Sequence, residues 1–173
     1  MKGPSHPSEN TANPRFYPGT SYPMLPGDVL YSHKSAFSSL LVGHEGIVGE
    51  DYRIYHVNAR GKNGHADSLP AYLSRHRKGE RLSILRLRDK EAALAAAQWA
   101  AGNIERVKMY RYTPSLADIS KNYCSKFIWQ SFYYGTGERL DLTGRGLGEQ
   151  RKTILTPARI YRSLEIIGHF FNK

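Results

Sequence analysis

The sequence predicts an α+β domain in which an antiparallel sheet packs against separate helices. Three observations carry that expectation. The run "HEGIVGEDYRIYHVNA" places Ile47-Val48 and Ile54-Tyr55-Val57 on either side of Gly49-Glu50-Asp51, the pattern of a β-hairpin. The run "DKEAALAAAQWAAGNIE" is dominated by the strongest helix former, alanine. The other strand and helix signals follow as separate elements, with no internal repeat and no heptad.

Taken in order, residues 1 to 24 read as a flexible or surface-hugging arm, because Pro4, Pro7, Pro14, Pro18 and Pro23 deny it regular structure. A single domain is expected over 25–173. Pro26-Gly27 marks a turn before a short strand at Val29, Leu30 and Tyr31. "SAFSSLLVG" has a serine start and a Gly43 stop and fits a short helix. After the hairpin, "SLPAYLSRH" fits a helix capped by Ser68 with Pro70 in its first turn. Leu85 and Leu87 alternate with Arg86 and Arg88, as in a half-buried strand. Asp89 is placed to cap the alanine-rich helix, and Glu91 suits its positive end. A further helix begins near Tyr123, with Ser120 or Asn122 as its cap, and ends at Gly135. A glycine-rich loop, "TGERLDLTGRGLGEQRKT", separates it from a helix in "LTPARIYRS" and a strand in "LEIIGHFF".

Composition narrows the function. The chain has 173 residues, 40% of them hydrophobic, enough for a real core and against wholesale disorder. One cysteine allows neither an internal disulfide nor a four-cysteine zinc site. The net charge of +10 favours polyanionic partners: nucleic acid, anionic lipid headgroups or acidic cell-wall polymers. No stretch approaches the ~20 apolar residues that span a bilayer, and the N-terminus has no signal-peptide core. The expected compartment is the cytoplasm by default, with export by a route that reads no cleavable signal as the alternative. No cofactor and no metal are expected. His44 and His56 alone could start a zinc site, but no third ligand follows at a recognisable spacing. "TGRGLG" lacks the ending of a phosphate loop.

Chemistry concentrates around Cys124. A cysteine nucleophile reacts as thiolate, so its pKa must fall from ~8.5, and a helix N-terminus and a neighbouring histidine both lower it. Cys124 falls in the first turn of its helix, on the face of Ile128 and Phe132. The hairpin brings His44 and His56 to adjacent strands, where one ring can hold the other. Against this stands the ordinary fate of a lone cysteine on an apolar face, an inert small hydrophobe. Histidines 6, 33, 65, 76 and 169 read as surface or turn residues, and Glu45 and Glu50 as solvated acids. A competing class is a nucleic-acid module: "SRHRKGERLSILRLR" is strongly basic and "RVKMYRYTP" interleaves cations with aromatics, yet no recognised nucleic-acid motif is present, so nucleic acid is not the expected partner.

The run "PGDVLYSHKS" with "GHEGIVGEDYRIYHVN" resembles the second half of NlpC-type cell-wall hydrolases, and "YRYTPSLADISKNYCSKFIWQSFYYGTG" resembles their first half. Here the halves stand in reverse order, as in the circularly permuted YiiX-like branch to which the lecithin:retinol acyltransferase family is related. The likeness covers about residues 25 to 165. It implies a papain-like fold and a cysteine peptidase or amidase without cofactor. Cys124 would be nucleophile, His44 general base and then acid, and His56 the residue orienting it. Tyr112, or else Tyr110, would stand near the oxyanion with the backbone N–H of Cys124, and Ser125 would bind substrate. Many permuted relatives have Glu where this chain has His56, which brings no fixed negative charge. The implied substrates are a small peptide or peptidoglycan stem peptide cut at an amide bond, and second an acyl lipid.

Overall fold

The structure, a computed structural model, describes residues 15–33, 44–59, 63–144 and 152–173. Eight strands and four helices follow in the order β1 (Val29–Ser32), β2 (His44–Val48), β3 (Ile54–Val57), β4 (Gly64–Asp67), α1 (Leu69–Ser74), β5 (Arg81–Arg86), α2 (Lys90–Asn103), β6 (Met109–Tyr110), β7 (Lys121–Asn122), α3 (Cys124–Gly135), α4 (Pro157–Ser163) and β8 (Glu165–Phe171). Six strands form one sheet in the order β4-β3-β2-β1-β5-β8, and every neighbouring pair is antiparallel. β6 and β7 pair in parallel just before α3. The expected α+β class, a sheet against helices, is what the chain forms.

Side chains alternate across a strand, and β2 shows what that does here. Ile47 joins Val29, Tyr55, Val57 and Leu85 in the core shared with α2 and α3, where Phe127, Ile128, Trp129 and Phe132 are fully buried. Val48 joins Leu30, Ile54, Leu82 and Ile84 in a second core on the other face, closed by Tyr72 of α1 and by Tyr17 and Met24 of the arm. The sheet is therefore covered on both sides. That also explains why β5 departs from the half-buried expectation: Leu82, Ser83, Ile84 and Leu85 are all buried, and the strand ends at Arg86, before Leu87 and Arg88.

Local signals formed as their chemistry requires. The Ser68 hydroxyl accepts from the Ala71 N–H at 3.3 Å, and Asp89 accepts from Ala92 at 3.1 Å, each closing an open helix end. Gly135 ends α3 against α2; a Cβ there would meet the Ala95 carbonyl at 2.8 Å. Gly27 turns with φ +87° where a Cβ would strike the Ala93 backbone. The expected helix at 35–43 and residues 145–151 of the glycine-rich loop lie outside the described residues. No described helix is long and apolar enough to cross a membrane.

Candidate active site

Tyr123 is the N-cap of α3, with extended backbone and no side-chain cap bond; the expected caps, Ser120 and Asn122, do other work. The Asn122 side-chain amide donates from Nδ2 to Gln130 at 2.7 Å, and its Oδ1 accepts from the Tyr123 N–H. Cys124 is thus the first residue of the helix, and it is 4% exposed. Its sulfur lies 3.8 Å from the Ser125 hydroxyl, and the backbone N–H groups of Ser125 and Glu45 favour its charged form. The sulfur lies beside Glu45 of β2, and Tyr72, whose ring stacks on His44, feels its charge.

The hairpin does bring the two histidines together. His44 Nε2 lies 3.0 Å from His56 Nδ1, with the rings nearly perpendicular. The chain of contacts continues: His56 Nε2 lies 2.8 Å from Asp67 Oδ2, and the Arg75 Nε donates to the same oxygen at 2.7 Å. Strand pairing places Asp67 there. His56 faces His65 across the β3–β4 ladder, and Asp67, two residues on, is its diagonal neighbour on the same face. Arg75 caps the C-terminus of α1, and Tyr72 of that helix stacks on His44 at 5.7 Å between centroids.

These contacts fix tautomers. Burial holds His56 neutral, lowering its pKa to about 4, against the pull of the Asp67 hydrogen bond. Burial also works against the Asp67 carboxylate, but bonds from Arg75 and His56 outweigh it and keep that acid below its ordinary value. A neutral His56 that donates from Nε2 to Asp67 presents a bare Nδ1. His44 must then donate from Nε2, which leaves its Nδ1 as the basic nitrogen. The missing charge behind His56 is supplied by Asp67, which the sequence reading did not single out. A signal was present: the run "NARGKNG" after Val57 is rich in turn-forming residues, and β4 returns from it antiparallel to β3, which carries Asp67 toward His56.

Three sequence expectations need correction. Glu45 is not solvated: it is fully buried, and neither carboxyl oxygen has a hydrogen-bond partner, although the Ser125 hydroxyl approaches it. Period-two alternation turns it to the helix-covered face, opposite His44. Nor is His76 a surface residue; it is buried beside Tyr72 and 3.5 Å from Glu80. Finally, the thiol is not lowered by its helix start. Burial, and next the Glu45 carboxyl, push Cys124 up to about 12, outweighing the N–H and hydroxyl groups that favour the thiolate. His33 and His169 flank the buried Ser83 hydroxyl at 2.6 and 2.8 Å, His65 stacks on His56, and Glu50 accepts from Gln98 on the exposed surface. His6 lies outside the described residues.

Tyr110 and Tyr112 sit just before α3 on the exposed side of Cys124. Tyr110 donates to Tyr112 at 3.0 Å, the Tyr112 ring packs on Tyr123, and both hydroxyls feel the charge of the thiol. Ser125 is wholly buried. Lys126 is buried too, and is satisfied by Thr113 Oγ1 and the carbonyls of Ser115 and Lys121, which makes it a clamp on the loop before α3. Among the described residues, no group of three or more histidine, cysteine or acidic side chains is arranged to hold a metal ion.

Comparison with known proteins adds three findings. Residues 8–147 match the family described as lipoprotein N-acylation protein LnsA-like. An uncharacterized 30.3 kDa protein of Bacillus thuringiensis is 26% identical over 123 residues, which are 65% of this chain and 45% of that protein. The chain thus spans about half the length of the curated relative it matches. The crystal structure of metalloprotein yiiX from Escherichia coli O157:H7 superposes with a TM-score of 0.59 over 85% of this chain and 98% of that one, at 18% identity. That likeness shows the fold, a YiiX-like papain-like arrangement.

Proposed function

The chain belongs to the LnsA-like lipoprotein N-acylation family, and from that premise we propose that it is a cysteine-dependent acyl-transfer enzyme, with Cys124 as nucleophile and a lipid-linked acyl group as donor. The observation that carries the reading is the hydrogen-bonded series Arg75–Asp67–His56–His44, which holds one imidazole nitrogen of His44 in its basic form, next in the strand to Glu45, the residue beside the Cys124 sulfur.

The steps balance as follows. The resting thiol is neutral. As its sulfur attacks the ester carbonyl of the donor, the proton passes to His44 Nδ1. The carbonyl oxygen becomes an oxyanion, for which the N–H of Cys124 and the hydroxyl of Tyr112 or Tyr110 are the nearest proposed donors. The C–O bond breaks, the His44 imidazolium protonates the leaving alcohol oxygen, and a thioester remains on Cys124. An acceptor then attacks that thioester, His44 takes its proton, and the sulfur leaves. An amine acceptor gives an amide; water gives the free acid. His56 keeps His44 in the productive tautomer throughout, and the Asp67 carboxylate stabilises the ring pair when His44 is charged.

The family's description names N-acylation, so an amine acceptor and an acyl-lipid donor are favoured over cleavage of cell-wall peptide amides, the substrate class that the NlpC resemblance puts first. The net charge of +10 suits an anionic lipid surface. The test is intact-protein mass after incubation with diacyl phospholipid vesicles, and in parallel with stem-peptide amides. A mass gain of one fatty acyl group, released by hydroxylamine and absent in Cys124→Ala, is expected. Turnover of stem peptides with no acyl adduct from lipid would return the peptidase reading.

A further inference from the structure

Among the described residues, two acids are sunk into this fold, and one of them has no hydrogen-bond partner. Glu45 is 0% exposed and both of its carboxyl oxygens lack a hydrogen bond. An orphaned buried carboxyl is costly enough that it calls for an explanation in its function. Its place supplies one. The Glu45 backbone N–H favours the charged form of the Cys124 sulfur, its side chain points to the α3 face, and the Ser125 hydroxyl lies against both sulfur and carboxyl. The sulfur therefore has a buried carboxyl beside it, next in the strand to His44.

We propose that Glu45 is a positioning residue that acts through Cys124: it serves as a neutral acid, and its charge state decides whether the sulfur can ionise. This rests on the reading of Cys124 as nucleophile. Two anions cannot share this dry space, so a proton must stay on one of them. While Glu45 holds its proton, the thiol can pass its own to His44. Once Glu45 is ionised, a thiolate beside it is opposed and acylation slows. The groups that face Glu45 are Tyr31 from β1, Cys124 and Ser125 from α3, and Tyr72 from α1, with His44 next to it in the strand. Tyr31 and Tyr72 are neutral phenols, and no cation is among these groups. Burial favours the protonated carboxyl accordingly. The alkaline limit of activity then belongs to Glu45.

Glu45→Gln removes the charge and keeps the shape. Alkylation of Cys124 by iodoacetamide, followed against pH without substrate, is expected to shift its midpoint down by at least ~1 pH unit, about tenfold faster labelling over the range in which wild-type Glu45 is ionised and its thiol is not. The alkaline fall in acyl-transfer rate is expected to move up or vanish. An unchanged or raised midpoint in a folded Glu45→Gln protein overturns the proposal. Should that variant not fold, infrared spectra of the wild type read the same claim. A protonated-carboxyl band must persist at neutral pH and fade over the range in which the acyl-transfer rate falls; its absence at neutral pH overturns the proposal. A shifted alkylation midpoint without any acyl adduct would sink the functional reading and support this one.

Discussion

Asp28, just before β1, and Glu45, on the neighbouring strand β2, are acids buried to the same depth, and their surroundings could hardly differ more. Asp28 accepts from Tyr17 at 2.7 Å, from the Leu25 N–H at 3.0 Å and from Arg86 at 2.7 and 2.8 Å. It ties the arm, the β1 turn and β5 together, and both of its carboxyl oxygens have donors. Glu45 accepts nothing and stands beside a thiol. The first acid belongs to the fold, where a buried charge is tolerated because it is paired. The second lowers stability, which fits the positioning role proposed for it beside Cys124. Burial alone thus says little about a polar residue's role; burial together with its partners separates scaffold from site.

The largest effect that sharpens this contrast is expected at the satisfied acid. Asp28→Ala leaves Arg86 facing a void and should cost about 3–5 kcal/mol in denaturant unfolding. Next comes Asp67→Asn, which offers His56 an amide instead of a carboxylate and frees the tautomer of His44. The rate of acyl transfer should fall by ~10²–10⁴, while the unfolding midpoint moves much less. A stability loss that matched the rate loss would reduce Asp67 to scaffold, like Asp28.

The third prediction concerns pH. His56 has a folded pKa of about 4, below its ordinary 6.5. Between those values the unfolded chain binds a proton that the folded chain refuses. The stabilisation is therefore complete above pH 6.5 and is lost as pH falls toward 4, by about 3 kcal/mol. His56→Gln should flatten that slope in urea unfolding followed from pH 7 to 4. The smallest effect has the opposite sign. Glu45 has a raised folded pKa, so its contribution is fully present below its unfolded value near 4.5 and is lost as pH rises through the folded value. Glu45→Gln should accordingly gain stability relative to wild type at alkaline pH and not in acid.

Much of this was legible in the residues because the signals are local. Ser68 with Pro70, Asp89 before an alanine run, and Gly49–Asp51 between β-rich runs each dictate nearby backbone, and the structure forms all three. The histidine pair was legible because a hairpin enforces it. What escaped depended on packing between distant segments. Asp67 reaches His56 only through the β3–β4 register, and Arg75 only because α1 folds back over it. Glu45 read as solvated because an acid in isolation favours water; nothing nearby in sequence says that α3 will cover that face. The lowered thiol failed for the same reason. A helix N-terminus does favour thiolate, but the burial that overrides it comes from tertiary packing around Tyr31, Tyr72 and Tyr123.

The central claim is a proton handed from the sulfur of Cys124 to His44. Its most direct test is single-turnover acylation of Cys124 in His44→Ala with and without added imidazole. The account predicts acylation slowed by ~10²–10⁴ and partly restored by imidazole in solution. Acylation of His44→Ala at the wild-type rate would contradict it.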